Sequence, residues 1–190
     1  MGAFKPLLPF GGRTVIEACV ENLRAGGVER VVVVVGHRGD EIVERLAHHD
    51  GVSFAVNREA ESEMGVSIAR GVERIPDETE ALFIALADHP AVGPEVIRLL
   101  IEERRRKRAR LLVPEHEGRG GHPVLVDHSF REELLGLDPQ RGLRALFDAH
   151  REEVLRVPVD SPYVARDINT WEDYLALYED VFRLRPSDQR

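Results

Sequence analysis

Val31-Val32-Val33-Val34-Val35-Gly36 is an unbroken run of five β-branched residues stopped by a glycine. The run is too short for a helix and shows no polar alternation, so it reads as a strand buried on both faces, as in a parallel sheet covered by helices. Its flanks carry the other period. Upstream, Thr14 can cap a helix whose apolar positions Val15, Ile16, Cys19, Val20 and Leu23 recur at helical spacing until Gly26 and Gly27 stop it. Downstream, Ile42, Val43 and Leu46 predict a helix over 40–47, followed by a strand over Val52–Val56.

The alternation continues outward. Helices are predicted near 66–75, 94–108, 130–135, 143–150 and 171–184, and strands at 81–86, 111–113, 123–126 and 154–159. Pro94 fits the first turn of its helix, where a missing N–H costs nothing. Repeated βα units predict an α/β fold, a three-layer α/β/α sandwich with a mostly parallel, Rossmann-like sheet. No repeat or interdomain linker interrupts it, so a single domain is expected over 1–184 with a loose tail at 185–190. In such sheets ligands bind beyond the carboxyl ends of the strands, and that is where chemistry is to be sought.

Composition narrows the function. Lys and Arg total 26 against 34 Asp and Glu, a formal charge of −8, so the overall field repels polyanions and disfavours a nucleic-acid partner. The basic run from Arg104 to Arg108 does not alter this, because it forms the last turn of one helix, where cations complement the dipole. Small phosphate ligands remain compatible, since local donors and a metal suffice for them. Cys19 is the only cysteine, which excludes a disulfide framework and a cysteine metal site and points to a reducing, cytoplasmic setting. No run approaches the roughly 18 apolar residues that span a bilayer, and a soluble protein without membrane attachment is expected.

Several residues stand where ligands should bind. Asp88 leaves the strand that ends at Leu86, in Ala87-Asp88-His89-Pro90, placed either to hold a Mg²⁺ bridging substrate phosphates or simply to cap a turn. Asn57 follows the strand ending at Val56, and Met64-Gly65-Val66-Ser67 then opens a helix whose N-terminus favours a phosphate or a polar base edge. Plain capping is the alternative there. Gly120-Gly121-His122-Pro123 brings two glycines and an imidazole to what reads as a sheet edge, or forms a tight turn. Asp167-Ile168-Asn169-Thr170 precedes the last helix; Thr170 and Asp173 suit a capping box, which leaves Asp167 and Asn169 without an account. Lys5, in Phe4-Lys5-Pro6-Leu7-Leu8-Pro9, is either a mobile point charge for a triphosphate or an ordinary solvated lysine.

Taken in order, Gly2-Ala3-Phe4-Lys5-Pro6-Leu7-Leu8, then Asn57 with Gly65 and Ser67, Asp88-His89-Pro90, Gly121-His122-Pro123, and Asp167-Ile168-Asn169-Thr170 with Glu172-Asp173 resemble the motif series of MobA-like nucleotidyltransferases. Within that group the chain is most similar to the molybdenum-cofactor cytidylyltransferases, over Gly2 to about Phe182. The resemblance implies Mg²⁺-dependent transfer of a nucleoside monophosphate from an NTP to a small phosphorylated acceptor, with release of pyrophosphate. It assigns Lys5 to the triphosphate and to catalysis, and Asp88 to catalysis and the metal. Asp167 and Asn169 fall in the segment that completes the metal site, Asn57, Gly65 and Ser67 in the part that recognises base and ribose, and Gly121, His122 and Pro123 in an acceptor-side loop. CTP is the expected donor with GTP as the alternative, and a molybdoenzyme or its chaperone is the implied protein partner.

One departure qualifies the resemblance. Family members open with an apolar strand and a Leu-Ala-Ala-Gly-like loop before the equivalent of Met1-Gly2, and that segment does not precede Met1 here. The resemblance therefore implies a chain without the loop that cradles the triphosphate and without a central strand. A start assigned too late is the expected reason. Two further readings stay open: a different phosphorylated acceptor, such as a sugar phosphate, and a non-catalytic nucleotide-binding module.

Overall fold

The computed structural model describes residues 4–59 and 63–186. Gly2, Ala3 and the end of the expected tail, 187–190, lie outside the described residues. After a 3-10 turn at Lys5–Leu7, a small hairpin pairs β1 (Pro9–Phe10) with β2 (Arg13–Thr14). Gly11 and Gly12 make its turn with φ of +62° and +82°, the left-handed region where a side chain is strained. The hairpin feeds α1 (Val15–Ala25), then come β3 (Val31–Val35), α2 (Gly39–Leu46), β4 (Val52–Val56), α3 (Met64–Val72), β5 (Ala81–Ile84) and α4 (Pro94–Lys107). The second half runs β6 (Leu111–His116), β7 (Arg119–Gly120), β8 (Val124–Asp127), α5 (Arg131–Leu135), α6 (Leu143–Ala149), β9 (Val154–Pro158) and α7 (Trp171–Phe182).

The entry to α1 is fixed locally. Thr14 Oγ1 accepts from the Glu17 N–H at 3.4 Å, and the Glu17 carboxylate accepts from the Thr14 N–H at 2.7 Å, a complete capping box. Partial burial works against the Glu17 charge, but the Thr14 donors prevail and hold its carboxyl below the usual range. Thr14→Ala should cost about 1 kcal/mol, read as a lower urea midpoint. Because the folded-state pKa of Glu17 is depressed, the part of this stabilisation carried by its charge is present at neutral pH. It is lost as pH falls through that pKa, so the gap between wild type and variant should narrow in acid.

β3 and β4 pair in parallel, from Val31 opposite Val52 to Val35 opposite Val56. The larger sheet has the order β5-β8-β6, with β9 parallel and β7 antiparallel to β6. β8 is antiparallel to both of its neighbours, which leaves β5, β6 and β9 pointing one way. α3, α5 and α6 cover one face, where Ile68, Val72, Leu134 and Leu146 meet Leu82, Ile84 and Leu111. α4 covers the other through Val96 and Leu100 on Leu112 and Leu125, while α1 and α2 close over Val31, Val33 and Val35. Adjacent residues such as Leu111 and Leu112 enter different cores because side chains alternate across a strand, and this is why the strands read as continuous apolar runs.

Three expectations change. Gly120-Gly121-His122-Pro123 lies at a sheet edge only at its start: Gly120 ends β7, which pairs with β6 after the hairpin turn at Glu117-Gly118, and Gly121 to Pro123 then lead inward to β8 between β5 and β6. β6 is twice as long as predicted, because the polar Glu115 and His116 end it without breaking it. In β3 only Val31, Val33 and Val35 are fully buried, whereas Val32 and Val34 are half-buried. The basic run closes α4 as read, and Arg104 is engaged by Asp127 at 2.8 Å.

Candidate active site

The turn after β5 carries Asp88, whose side chain is about one-third exposed. Its carbonyl oxygen accepts from the Ile168 N–H at 3.2 Å, which docks the segment from Asp167 to Asn169 onto the turn although nearly eighty residues separate them. Ile168 is the anchor: it is fully buried in the core beneath α7 with Tyr174 and Leu177. On either side of it the chain leaves Asp167 and Asn169 near the surface, and Asn169 Nδ2 donates to Asp167 Oδ2 at 2.6 Å. The capping box read from the sequence forms, with the Thr170 N–H donating to Asp173 at 2.7 Å. Asp173 is held below the usual carboxylate range by Thr170 first, and Lys5 adds to this from the 3-10 turn at the start of the chain. Lys5 therefore stands on the same side of the molecule as the start of α7.

His122 joins the group through His89. Gly121 N–H donates to the Pro114 carbonyl at 2.9 Å and His122 N–H to the Val164 carbonyl at 2.8 Å, and the His122–Pro123 peptide is cis. A Cβ on Gly121 would stand 2.0 Å from the Val164 oxygen, so the position requires glycine. The His122 ring bonds through Nδ1 to the Ile84 carbonyl at 3.3 Å, which fixes the proton on that nitrogen and leaves Nε2 as an acceptor. His89 meets it edge to face at 5.9 Å, with its own Nε2 3.8 Å from the Asp88 carboxylate. Burial lowers the pKa of both histidines; Asp88 and Asp167 oppose this at His89 without reversing it. Two neutral imidazoles thus back the carboxylate. Behind them, burial foremost and Asp88 second push the Cys19 thiol up to about 12, so it is an inert core residue.

A second group forms past the carboxyl end of β4. The Asn57 N–H extends the ladder to the Val35 carbonyl, and its side chain is buried, donating to Ser67 Oγ at 3.0 Å and accepting from the Glu59 N–H at 3.1 Å. Gly65 sits in the first turn of α3 under the chain's own loop, where a Cβ would come within 3.2 Å of the Asp138 oxygen and Pro139 Cα. The close approach at Gly65 is thus made by Asp138-Pro139.

A MobA-like NTP transferase domain model matches residues 1–154. The chain belongs to the MobA-like NTP transferase family. The molybdenum cofactor cytidylyltransferase of Escherichia coli strain K12 is 24% identical over 94% of this chain and 89% of its own length. Nicotine blue oxidoreductase of Paenarthrobacter nicotinovorans is 29% identical over 67% of the chain and 64% of that protein. Among solved structures, a nucleotidyl transferase from Methanothermobacter thermautotroptrophicus superposes with a TM-score of 0.79 at 25% identity, covering 95% of this chain and 86% of that one. This NTP transferase is accordingly an enzyme of the nucleotidyltransferase class with a nucleotide-diphospho-sugar transferase fold.

Of the transferase residues named from sequence, Asp88, His122, Asp167 and Asn169 come together around the carboxyl end of β5, and Asn57, Gly65 and Ser67 form the separate group at β4 and α3. Two neighbours of the first group have no role in the sequence motifs. His89, inside a quoted motif but given no role, is the buried ring between Asp88 and His122. Asp173, read only as a cap, is also the carboxylate that senses Lys5. The repeated His-Pro dipeptide at 89–90 and 122–123 was the available signal for the ring pair. Among the described residues no helix is long and apolar enough to cross a membrane.

Proposed function

We propose that this transferase moves a nucleoside monophosphate, CMP by expectation, from an NTP to a phosphorylated molybdopterin-type cofactor and releases pyrophosphate, with Mg²⁺ as cofactor. An acceptor phosphate oxygen forms the new bond to the α-phosphorus as the bond to pyrophosphate breaks. Nucleotidyl transfer of this kind needs positioning and charge stabilisation more than acid or base help from the protein. The observation that carries the reading is the Ile168-to-Asp88 hydrogen bond, which brings carboxylates from two distant segments to the end of one strand.

Asp88 and Asp167, with the Asn169 carboxamide oxygen, make a set of hard oxygen donors that suits Mg²⁺. Among the described residues no group of three or more His, Cys, Asp or Glu is placed to hold a metal by itself; an ion bound through one or two carboxylates would be completed by substrate phosphates and water. Mg²⁺ would supply positive charge at the phosphate oxygens. Lys5 adds a flexible point charge for the triphosphate. Asn57, with its carboxamide oriented by Ser67 and Glu59, offers a fixed edge to base or ribose. His122, with its proton on Nδ1, presents Nε2 on the acceptor side beside Gly121 and Pro123. The buried, unpaired Cys19 accords with a cytoplasmic protein.

Separate calorimetric titrations of CTP, GTP, ATP and UTP in the presence of Mg²⁺ test the nucleotide. Saturable, Mg²⁺-dependent preference for CTP is the expected result, and preference for another nucleotide would replace CMP in the proposal. Pyrophosphate release with the phosphorylated pterin, compared with sugar phosphates at the same concentration, tests the acceptor.

A further inference from the structure

Among the described residues β4 pairs only with β3, in a register that runs unbroken from Val52 to Val56. The Gly51 carbonyl accepts from the Val31 N–H at 2.9 Å, and the Asn57 N–H donates to the Val35 carbonyl at 2.8 Å. Residues 51, 53, 55 and 57 therefore turn their backbone groups toward β3, and the alternation of the strand turns those of Val52, Phe54 and Val56 away from it. The Val52 N–H is taken up by the His49 carbonyl at 3.3 Å, whereas its C=O and both groups of Phe54 and Val56 line the outer edge. Proteins ordinarily guard such an edge with a charge, a proline or a bulge. Val52-Ser53-Phe54-Ala55-Val56 carries none of these, and the Val56 side chain is 57% exposed.

The strand and its flanks specify what fits this edge. A strand added in antiparallel sense must set outward-facing residues against outward-facing residues. β4 meets that condition against itself: with Phe54 on a two-fold axis, Phe54 faces its own copy and Val52 faces Val56 on either side, each as a hydrogen-bonded pair. No other antiparallel register of β4 on itself engages all three outward residues. Val52, Phe54 and Val56 also share one face of the strand, the face on which Val52 and Phe54 pack beside Ile42 and Leu46 of α2. Two phenyl rings thus meet at the axis, and each exposed Val56 is covered by the other copy's Val52, both favourable cross-strand pairs. Continued outward, the same register sets Asp50 opposite Arg58. Both are exposed, and among the described residues neither forms an ion pair within its own chain. The two-fold axis repeats this match, so opposite charges meet at both ends of the ladder.

We propose that the outer edge of β4 is a self-complementary docking surface, on which a second copy of this chain adds antiparallel about Phe54 to give a continuous sheet of order β3-β4-β4-β3 closed at each end by an Asp50–Arg58 ion pair. Five residues from each strand make a small interface, so the dimer is reversible and forms with rising protein concentration. Pairing satisfies an edge that is otherwise open to any extended chain.

Sedimentation equilibrium over a concentration series tests this on the 190-residue chain and on Asp50→Arg and Arg58→Asp. The wild-type chain is expected to dimerise reversibly. Each variant alone sets like charges against each other at both ends of the ladder and should weaken the dimer by about 10-fold or more. Both side chains are exposed, so circular dichroism should show an unchanged fold. An equimolar mixture of the two variants should dimerise as the wild type does, because in the mixed pair each end again joins opposite charges. A wild-type chain that stays monomeric at about 1 mM overturns the proposal. A dimer that both variants keep at full strength, or a mixture that associates no more tightly than its components, also overturns it and assigns any association to another surface.

Discussion

Replacing Asp88 by asparagine is expected to lower the rate of nucleotidyl transfer by about 10³-fold, while circular dichroism and the thermal midpoint stay close to wild type. The side chain is about one-third exposed and the substitution keeps its shape, so packing does not suffer. The hydrogen bond that docks Ile168 comes from the Asp88 main chain and survives the change. What is lost is one negative charge and one hard anionic oxygen where the metal and the triphosphate are proposed to meet, and a neutral amide does not compensate for either. Asp88 and Asp167 both act electrostatically on His89, so the variant also relieves a concentration of like charge and its stability should not fall. Pyrophosphate release at saturating NTP and Mg²⁺ is the measurement. Unchanged turnover would remove Asp88 from the metal site and with it the main support for the proposed mechanism.

Gly121→Ala should be the most damaging single methyl group in the second half of the chain, costing about 3 kcal/mol or more. The Cβ would lie 2.0 Å from the Val164 carbonyl oxygen and 2.4 Å from its carbon, both backbone atoms that cannot swing aside. Val164 is fully buried in the core under α4, and the Pro114 carbonyl holds Gly121 from the other side. Relief would require separating these segments and breaking the bond from His122 to Val164, which would also shift the imidazole that packs on His89. At about 2–4 °C per kcal/mol for a chain of this size, the thermal midpoint should drop by roughly 6–12 °C. A loss under about 1 kcal/mol would mean that the loop from β7 to β8 is far more pliant than its hydrogen bonds indicate.

The local elements of this transferase were legible because they depend on neighbours in sequence. The valine run of β3, the period of α1, the threonine caps at Thr14 and Thr170 and the proline at the head of α4 each act over one or two turns, and each appears where the pattern placed it. The place of β8 in the sheet was not legible, for the opposite reason. Its residues read the same at an edge or in the interior, and its position depends on a hairpin turn at Glu117-Gly118 that carries little sequence signal. Asp88 could be singled out from its place after an apolar strand, but its proximity to Asp167 could not, since that contact runs through a backbone bond to Ile168 that no spacing encodes.

Sequence by itself therefore determined the α/β class, the caps and the family motif series, because side-chain period, β-branching and cap chemistry are properties of a few adjacent residues. Tertiary structure alone decided that β8 lies between β5 and β6, that the two His-Pro histidines face each other behind Asp88, and that Gly121 is glycine because of Val164. Each of these depends on which surfaces meet after the chain has closed loops of tens of residues, a choice made by the packing of the whole core rather than by any local preference.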